Sequence, residues 1–182
     1  MAAVTHTGTW TEADLADLPD DGLRRELLEG ALIVNPPPSG RHQLLTGDLV
    51  HRLRAAAGGD LAVVEGLGVR VPGGTVLIPD IVVGDRQAVI EAGSGILDPG
   101  DVALVVEVVS PSSHSMDRLT KPTLYAAAGI PAYWRVELEE GPAVHVYRLD
   151  AEAYVPSGVA RPAEPLAVVV PFAMSVEVDK PE

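Results

Sequence analysis

The stretch Ala103-Leu104-Val105-Val106-Glu107-Val108-Val109-Ser110 decides how this chain folds. Ala, Val and Leu flank Glu107 on both sides over the length of one strand, so the segment reads as a strand buried on both faces. Alternation puts Ala103, Val105, Glu107 and Val109 on one face and Leu104, Val106 and Val108 on the other, and neither face is polar. An ionised carboxylate in such a strand costs several kcal/mol unless a partner or a metal compensates it. Upstream, Val76-Leu77-Ile78-Pro79-Asp80-Ile81-Val82-Val83 repeats the arrangement, an apolar strand carrying one acid. Downstream, Lys121 is the lone lysine of a helical segment with little other charge. Two acids on buried strands plus a lysine suggest a metal site.

Working outward, Pro111 ends the Glu107 strand, and a helix starts near Arg118 with Pro122 in its first turn and Gly129 as its left-handed cap. Strands follow over Ala132 to Glu137, Ala143 to Leu149, and Val168 to Val178 with a break at Pro171. The first two are joined by a turn at Glu139-Glu140-Gly141-Pro142. On the N-terminal side, Leu61 to Glu65 and Val69 to Val71 are short strands, Pro72-Gly73-Gly74 turns the chain into the Asp80 strand, and one helical turn fits Ala88 to Ala92. Ser39 caps a helix from about Arg41 to Ala57, after the rigid connector Pro36-Pro37-Pro38. Arg24 to Leu28 and Ala31 to Val34 read as a hairpin around Glu29-Gly30, with a helix over 23 to 29 as the competing reading. Thr11-Glu12-Ala13-Asp14 has the form of a capping box opening a short helix to Leu18, and residues 1 to 10 are expected to fray. The sum is one domain over residues 1 to 182, α/β or α+β in class, with a central mixed sheet flanked by helices around one core.

The chain has no cysteine, which excludes disulfides, thiolate metal sites and cysteine nucleophiles. Met1 to His6 has neither a basic nor an apolar leader region, and no apolar run reaches the roughly 18 residues of a membrane span. A soluble cytoplasmic protein without a membrane partner is expected. The charge is the strongest bound: 13 basic residues against 26 acidic ones give −13. Nucleic-acid binders carry a basic footprint, because phosphate neutralisation supplies most of their non-specific affinity. A nucleic-acid partner therefore requires a local basic patch, a bound divalent cation, or an oligomer, in the simplest case a homodimer, that concentrates the few arginines.

Each candidate has a bland reading. Glu107 could pair with an arginine such as Arg135. Asp80 follows Pro79, and a Pro-Asp pair alone is usually a turn; beside Glu107 on a neighbouring strand, however, it could share a hard divalent cation such as Mg²⁺. Lys121 lies four residues after Asp117, the spacing of an exposed helix ion pair. Glu26, next to Arg25 and near Glu29, reads as solvated charge. His42 and His51 fall roughly opposite each other on their helix and form no ligand pair. Ser110 and Ser112 sit in no Gly-x-Ser-x-Gly elbow and have no recognisable base, so a serine hydrolase is excluded.

The ordered set Arg-Arg-Glu-Leu-Leu-Glu-Gly at 24 to 30, Pro-Pro-Pro-Ser-Gly-Arg-His at 36 to 42, Pro79-Asp80, Glu107-Val108-Val109-Ser110-Pro111-Ser112-Ser113, then Asp117, Lys121, Tyr125 and Ala128 to Trp134 resembles the Uma-type putative restriction endonuclease family of the PD-(D/E)XK nuclease superfamily. The resemblance runs from about residue 10 to 178. It implies the restriction-endonuclease-like fold, with Asp80 as the first acid, Glu107 as the second and Glu26 as an acid near the site. The superfamily lysine would stand two residues after the glutamate, where this chain has Val109; Lys121, on the following helix, is the matching position.

What the resemblance implies is a DNA endonuclease dependent on Mg²⁺ or Mn²⁺. Asp80, Glu107 and the backbone carbonyl of Val108 would hold the metal, and Lys121 would orient water or stabilise charge building at phosphorus. Glu26 would bind a second metal or a metal-bound water, and His42 could contact phosphate. The alternative from another class is a non-catalytic binding or interaction protein, dimeric in one form, that keeps the fold. The charge of −13 favours it, and the intact Asp80, Glu107 and Lys121 set disfavours it.

Overall fold

A computed structural model of the chain describes residues 8–19, 21–93, 95–110, 113–138 and 141–179. Helix α1 (Glu12–Ala16) opens on a capping box in which Thr11 and Asp14 satisfy each other's backbone amides. Strands β1 (Arg24–Leu28) and β2 (Ala31–Asn35) form a hairpin, and Glu29 (φ +48°) and Gly30 (φ +82°) supply the two left-handed residues of its turn. The hairpin prevails over a helix at 23 to 29 because pairing buries Glu26 and Leu27 together. Helix α2 (Gly40–Ala56) begins at Ser39, whose hydroxyl accepts from the His42 amide. Then come β3 (Leu61–Glu65), β4 (Gly68–Val71), β5 (Thr75–Leu77), β6 (Ile81–Asp85), α3 (Arg86–Ala92), β7 (Ile96–Leu97) and β8 (Val102–Val108). A π-helical turn (Met116–Thr120) runs directly into α4 (Lys121–Ala127), followed by β9 (Ala132–Glu137), β10 (Ala143–Asp150), β11 (Ala153–Ala160), β12 (Leu166–Val168) and β13 (Met174–Val176).

The strands form mixed sheets flanked by helices, an α+β arrangement. One sheet has the order β11-β10-β9-β8-β6-β3 and another β2-β1-β5-β4-β7, with β12 and β13 paired separately. In the six-stranded sheet only β8 and β9 run parallel, so the connection between them must cross over, and the π-helical turn with α4 makes that crossing. Side chains alternate across this sheet. Leu104, Val106, Val108, Ile81, Val83 and Trp134 point to the α2 side, whereas Val105, Val82 and Tyr133 point to the side covered by α4 and the five-stranded sheet. Glu107 shares the parity of Val105 and Asp80 that of Val82. The antiparallel register ends at Ile81 opposite Val106, and Asp80, one residue beyond it, accepts from the Val108 amide, which brings its carboxylate to the same end of the sheet as Glu107.

Several expectations are corrected here. The Asp80 segment is not one strand: β5 belongs to the five-stranded sheet and β6 to the six-stranded one, and Ile78-Pro79-Asp80 is the corner between them. The apolar residues fall into two clusters, one on each side of the six-stranded sheet, where one core was expected. Strand β11 was not anticipated, because Pro156 and Gly158 lie inside it; it is an edge strand, where a missing amide is tolerated. The Val168 to Val178 run is a hairpin of two short strands that begins at Leu166. Trp10 is tied down through its amide to the Gly30 carbonyl (2.9 Å), so fraying does not extend to residue 10. The expectations for residues 1–7, for Pro111 and Ser112, and for the turn at Glu139-Glu140 lie outside the described residues. Among the described residues no helix is long and apolar enough to cross a membrane.

Candidate active site

At the carboxyl end of β8 the two sheets part around a cavity of about 330 Å³. Its polar lining includes Glu26, Asp80, Glu107, Asp117, Lys121 and Arg24, with His42 and the Pro36–Ser39 connector along one wall. Four separate chain segments therefore deliver charge to one place.

Lys121 organises them. It is the first residue of α4, and the turn before it is pinned to the six-stranded sheet by the Tyr133 hydroxyl, which donates to the Asp117 carbonyl (2.6 Å), and by Arg118, which forks onto Glu137 (3.0 and 2.7 Å). Lys121 is 6% exposed, and its ammonium lies 3.0 Å from Glu107 Oε1, 3.0 Å from Glu26 Oε1 and 3.6 Å from Asp117 Oδ1. Burial works against its charge, but those three carboxylates outweigh burial and raise the amine well above its usual range. The exposed Lys121–Asp117 pair of the bland reading is thus replaced by a buried cluster, because the π-helical turn presses both residues against the sheet.

Glu107 is 2% exposed, and its Oε1 accepts from Lys121 (3.0 Å) and from the Tyr125 hydroxyl (2.6 Å) one helical turn further along α4. Burial first, and then the neighbouring Asp117, Asp80 and Glu26 carboxylates, push its carboxyl up to about 8 although Lys121 opposes them. Its Oε2 has no hydrogen-bond partner among the described residues. Arg135, the bland partner, sits beside Glu107 in the β8–β9 register but reaches instead to Glu137 (2.9 Å) and over the Tyr147 ring.

Asp80 is differently placed. Its Oδ1 accepts from Arg24 Nη1 (2.7 Å), and its Oδ2 accepts from the Val108 amide (2.7 Å) and His42 Nε2 (3.2 Å). Burial raises this carboxyl, but the His42 hydrogen bond and the Arg24 charge outweigh it and hold it down at about 2. His42, expected at phosphate, is buried against Asp80 with Thr46 behind it. Glu26 is 2% exposed and not solvated: one oxygen accepts from the Ile78 amide (2.8 Å) and the other from Asn35 (2.8 Å). Asp80, Glu107, Glu26, Lys121 and Val108 therefore line one cavity.

Sequence reasoning missed Arg24 and Asp117 as members of the cluster. Both were legible in outline. Strand alternation in the hairpin puts Arg24 on the same face as Glu26, and helical spacing puts Asp117 on the same face as Lys121. Tyr125 likewise follows Lys121 by four residues.

Among the described residues no three His, Asp or Glu side chains converge closely enough to enclose a metal alone. Mg²⁺ is commonly held by one or two carboxylates, with water and substrate phosphate completing its shell, and the donor set suits that mode. Four carboxyl groups face two permanent cations, Arg24 and Lys121, so acidic groups outnumber the basic ones that could pair with them. Among the described residues the buried Asp117 Oδ1 accepts no hydrogen bond. All are hard oxygen donors. Asp80 and Glu107 are the residues that could hold such a cation.

The chain is similar to known proteins in two ways. A crystal structure described as a putative nuclease belonging to DUF820 from Anabaena variabilis ATCC 29413 superimposes with a TM-score of 0.69 at 20% identity, over 90% of this chain and 91% of that one, which establishes a shared fold. No curated protein matches. The family model Uma2, described as putative restriction endonuclease, matches residues 12–179, a span that contains every side chain of the cavity. The chain belongs to the Uma2 family.

Proposed function

We propose that this protein is a Mg²⁺- or Mn²⁺-dependent endodeoxyribonuclease that hydrolyses phosphodiester bonds. The observation that supports this best is the buried Lys121 ammonium, 3.0 Å from Glu107 and 3.0 Å from Glu26, in a cavity that also presents Asp80. Membership of a family described as putative restriction endonuclease, and a fold neighbour described as a putative nuclease, point the same way.

Asp80, Glu107 and the Val108 carbonyl would hold the cation. The Val108 amide already points at Asp80, and in an extended strand the carbonyl of the same residue leaves on the same edge. When bound, a divalent cation supplies Lewis acidity, which makes water nucleophilic near neutral pH and offsets phosphate charge. The remaining work falls to the chain. Lys121 places a fixed positive charge where charge grows on phosphorus, without reorganisation during the reaction. Glu26 and Asp117 hold that ammonium in place, and Tyr125 fixes the Glu107 rotamer so that Oε2 faces the cavity.

The test is cleavage of plasmid and single-stranded DNA with Mg²⁺ and with Mn²⁺, using Glu107→Ala as the control. Cation-dependent cleavage lost in the control is expected. A folded wild type that cuts neither substrate supports the second reading, a non-catalytic binding protein, which the net charge of −13 favours.

A further inference from the structure

Arg24 stands apart in the cavity. The other permanent cation, Lys121, is buried and clamped among three carboxylates, whereas the Arg24 side chain is 28% exposed and makes two contacts, Asp80 Oδ1 at 2.7 Å and the Pro79 carbonyl at 2.9 Å. The two oxygens of Asp80 are held unequally. Oδ2 is gripped by a backbone amide and by the buried His42. Among the described residues Oδ1 is held by Arg24 alone. A cation approaching Asp80 therefore meets one removable competitor, the Arg24 guanidinium.

We propose that Arg24 is the phosphate-binding side chain of this site, stored on Asp80 until a divalent cation takes Oδ1 and releases it. The proposal rests on the cation-dependent nuclease reading given above. Displaced from Asp80, the guanidinium has fork-shaped donors free at the exposed side of the cavity, and a phosphodiester is the group that matches that fork. The exchange answers the problem of net charge. Without a cation the cavity holds four carboxyl groups, and both of its permanent cations, Arg24 and Lys121, are paired with them among the described residues, so it offers DNA no free positive group. With one bound, two of the carboxylates are neutralised and Arg24 is turned outward. Cation binding thus precedes DNA binding and is required for it.

The experiment compares wild type, Arg24→Gln and Arg24→Lys, each verified as folded by circular dichroism. Mn²⁺ binding is measured by calorimetry without DNA, and binding of a duplex is measured in Ca²⁺ across a salt series. Because a charge-assisted hydrogen bond no longer has to be given up, Arg24→Gln is expected to bind Mn²⁺ about tenfold tighter than wild type. The same variant is expected to bind duplex more weakly, with a salt slope reduced by about 1. Arg24→Lys should restore part of both effects. Mn²⁺ binding by Arg24→Gln with none detectable in wild type would also support the stored-arginine arrangement. Equal or weaker Mn²⁺ binding in Arg24→Gln, with wild type binding normally, overturns the Arg24 proposal and leaves the metal reading standing. No Mn²⁺ binding in either protein overturns both.

Discussion

Replacing Lys121 by Met removes the one charge that three buried carboxylates share while keeping most of the side-chain volume. Glu107 and Glu26 each lose an ammonium at 3.0 Å, and Asp117 Oδ1, which accepts no hydrogen bond among the described residues, loses the ammonium at 3.6 Å. Removing one partner from a buried ion pair typically costs about 3–5 kcal/mol, because the charge left behind has no water to turn to. In a domain of this size that corresponds to a melting temperature lower by roughly 6–20 °C. The sign with pH follows from the groups involved. The Lys121 amine is raised above its ordinary 10.5, so its own contribution is complete everywhere below that value and is lost only as the pH rises past it. On the acid side the carboxylates decide. Glu107 is pushed up to about 8, so it is protonated at pH 6 and ionised at pH 9, and the variant is penalised less at pH 6 than at pH 9. Urea denaturation of wild type and Lys121→Met at both pH values measures this. A loss below about 1 kcal/mol at pH 9, the size expected of an exposed pair, or one that does not shrink at pH 6, would refute the buried cluster. Cleavage by the variant is to be measured at a temperature where it remains folded.

Three further outcomes are expected. Without divalent cations, folded Glu107 holds a proton up to about pH 8 that the unfolded chain releases near 4.5, so stability should fall across that window by up to about 1.4 kcal/mol per pH unit; Glu107→Gln should flatten the slope in a urea series, and an unchanged slope would assign it elsewhere. Mg²⁺ should raise the melting temperature of wild type through linkage but not that of Asp80→Asn or Glu107→Gln, and calorimetry showing no Mg²⁺ dependence in wild type would favour the non-catalytic reading. Tyr125→Phe deletes the 2.6 Å hydrogen bond to Glu107 Oε1 and should cost about 1–3 kcal/mol; a neutral substitution would mean that Lys121 alone holds that rotamer.

The sequence by itself determined which residues are costly to bury and on which face of its own element each lies. An acid inside Ala103 to Val109 has to be compensated wherever that strand packs, and period-two alternation keeps Glu107 with Val105 whatever lies beyond. The Thr11 cap, the Ser39 cap and the Glu29-Gly30 turn are equally local, since their hydrogen bonds and backbone angles close within a few residues. Tertiary structure alone decided what compensates Glu107. Lys121 and Arg135 are both within reach of a strand-neighbour argument, and the choice fell to the π-helical turn, which rotates α4 so that Lys121 and Tyr125 face the sheet while Arg135 turns to Glu137. The corner at Ile78-Pro79-Asp80 could not be read from its apolar pattern either. A continuous hydrophobic run looks the same whether it stays in one sheet or passes between two, because both halves are buried; only the partners differ. That passage brings Asp80 to the same end of the sheet as Glu107 and sets Arg24 and Glu26 from the other sheet against the same cavity. Charges from four segments meet there because two sheets and a crossover helix pack together, and no local pattern records that packing.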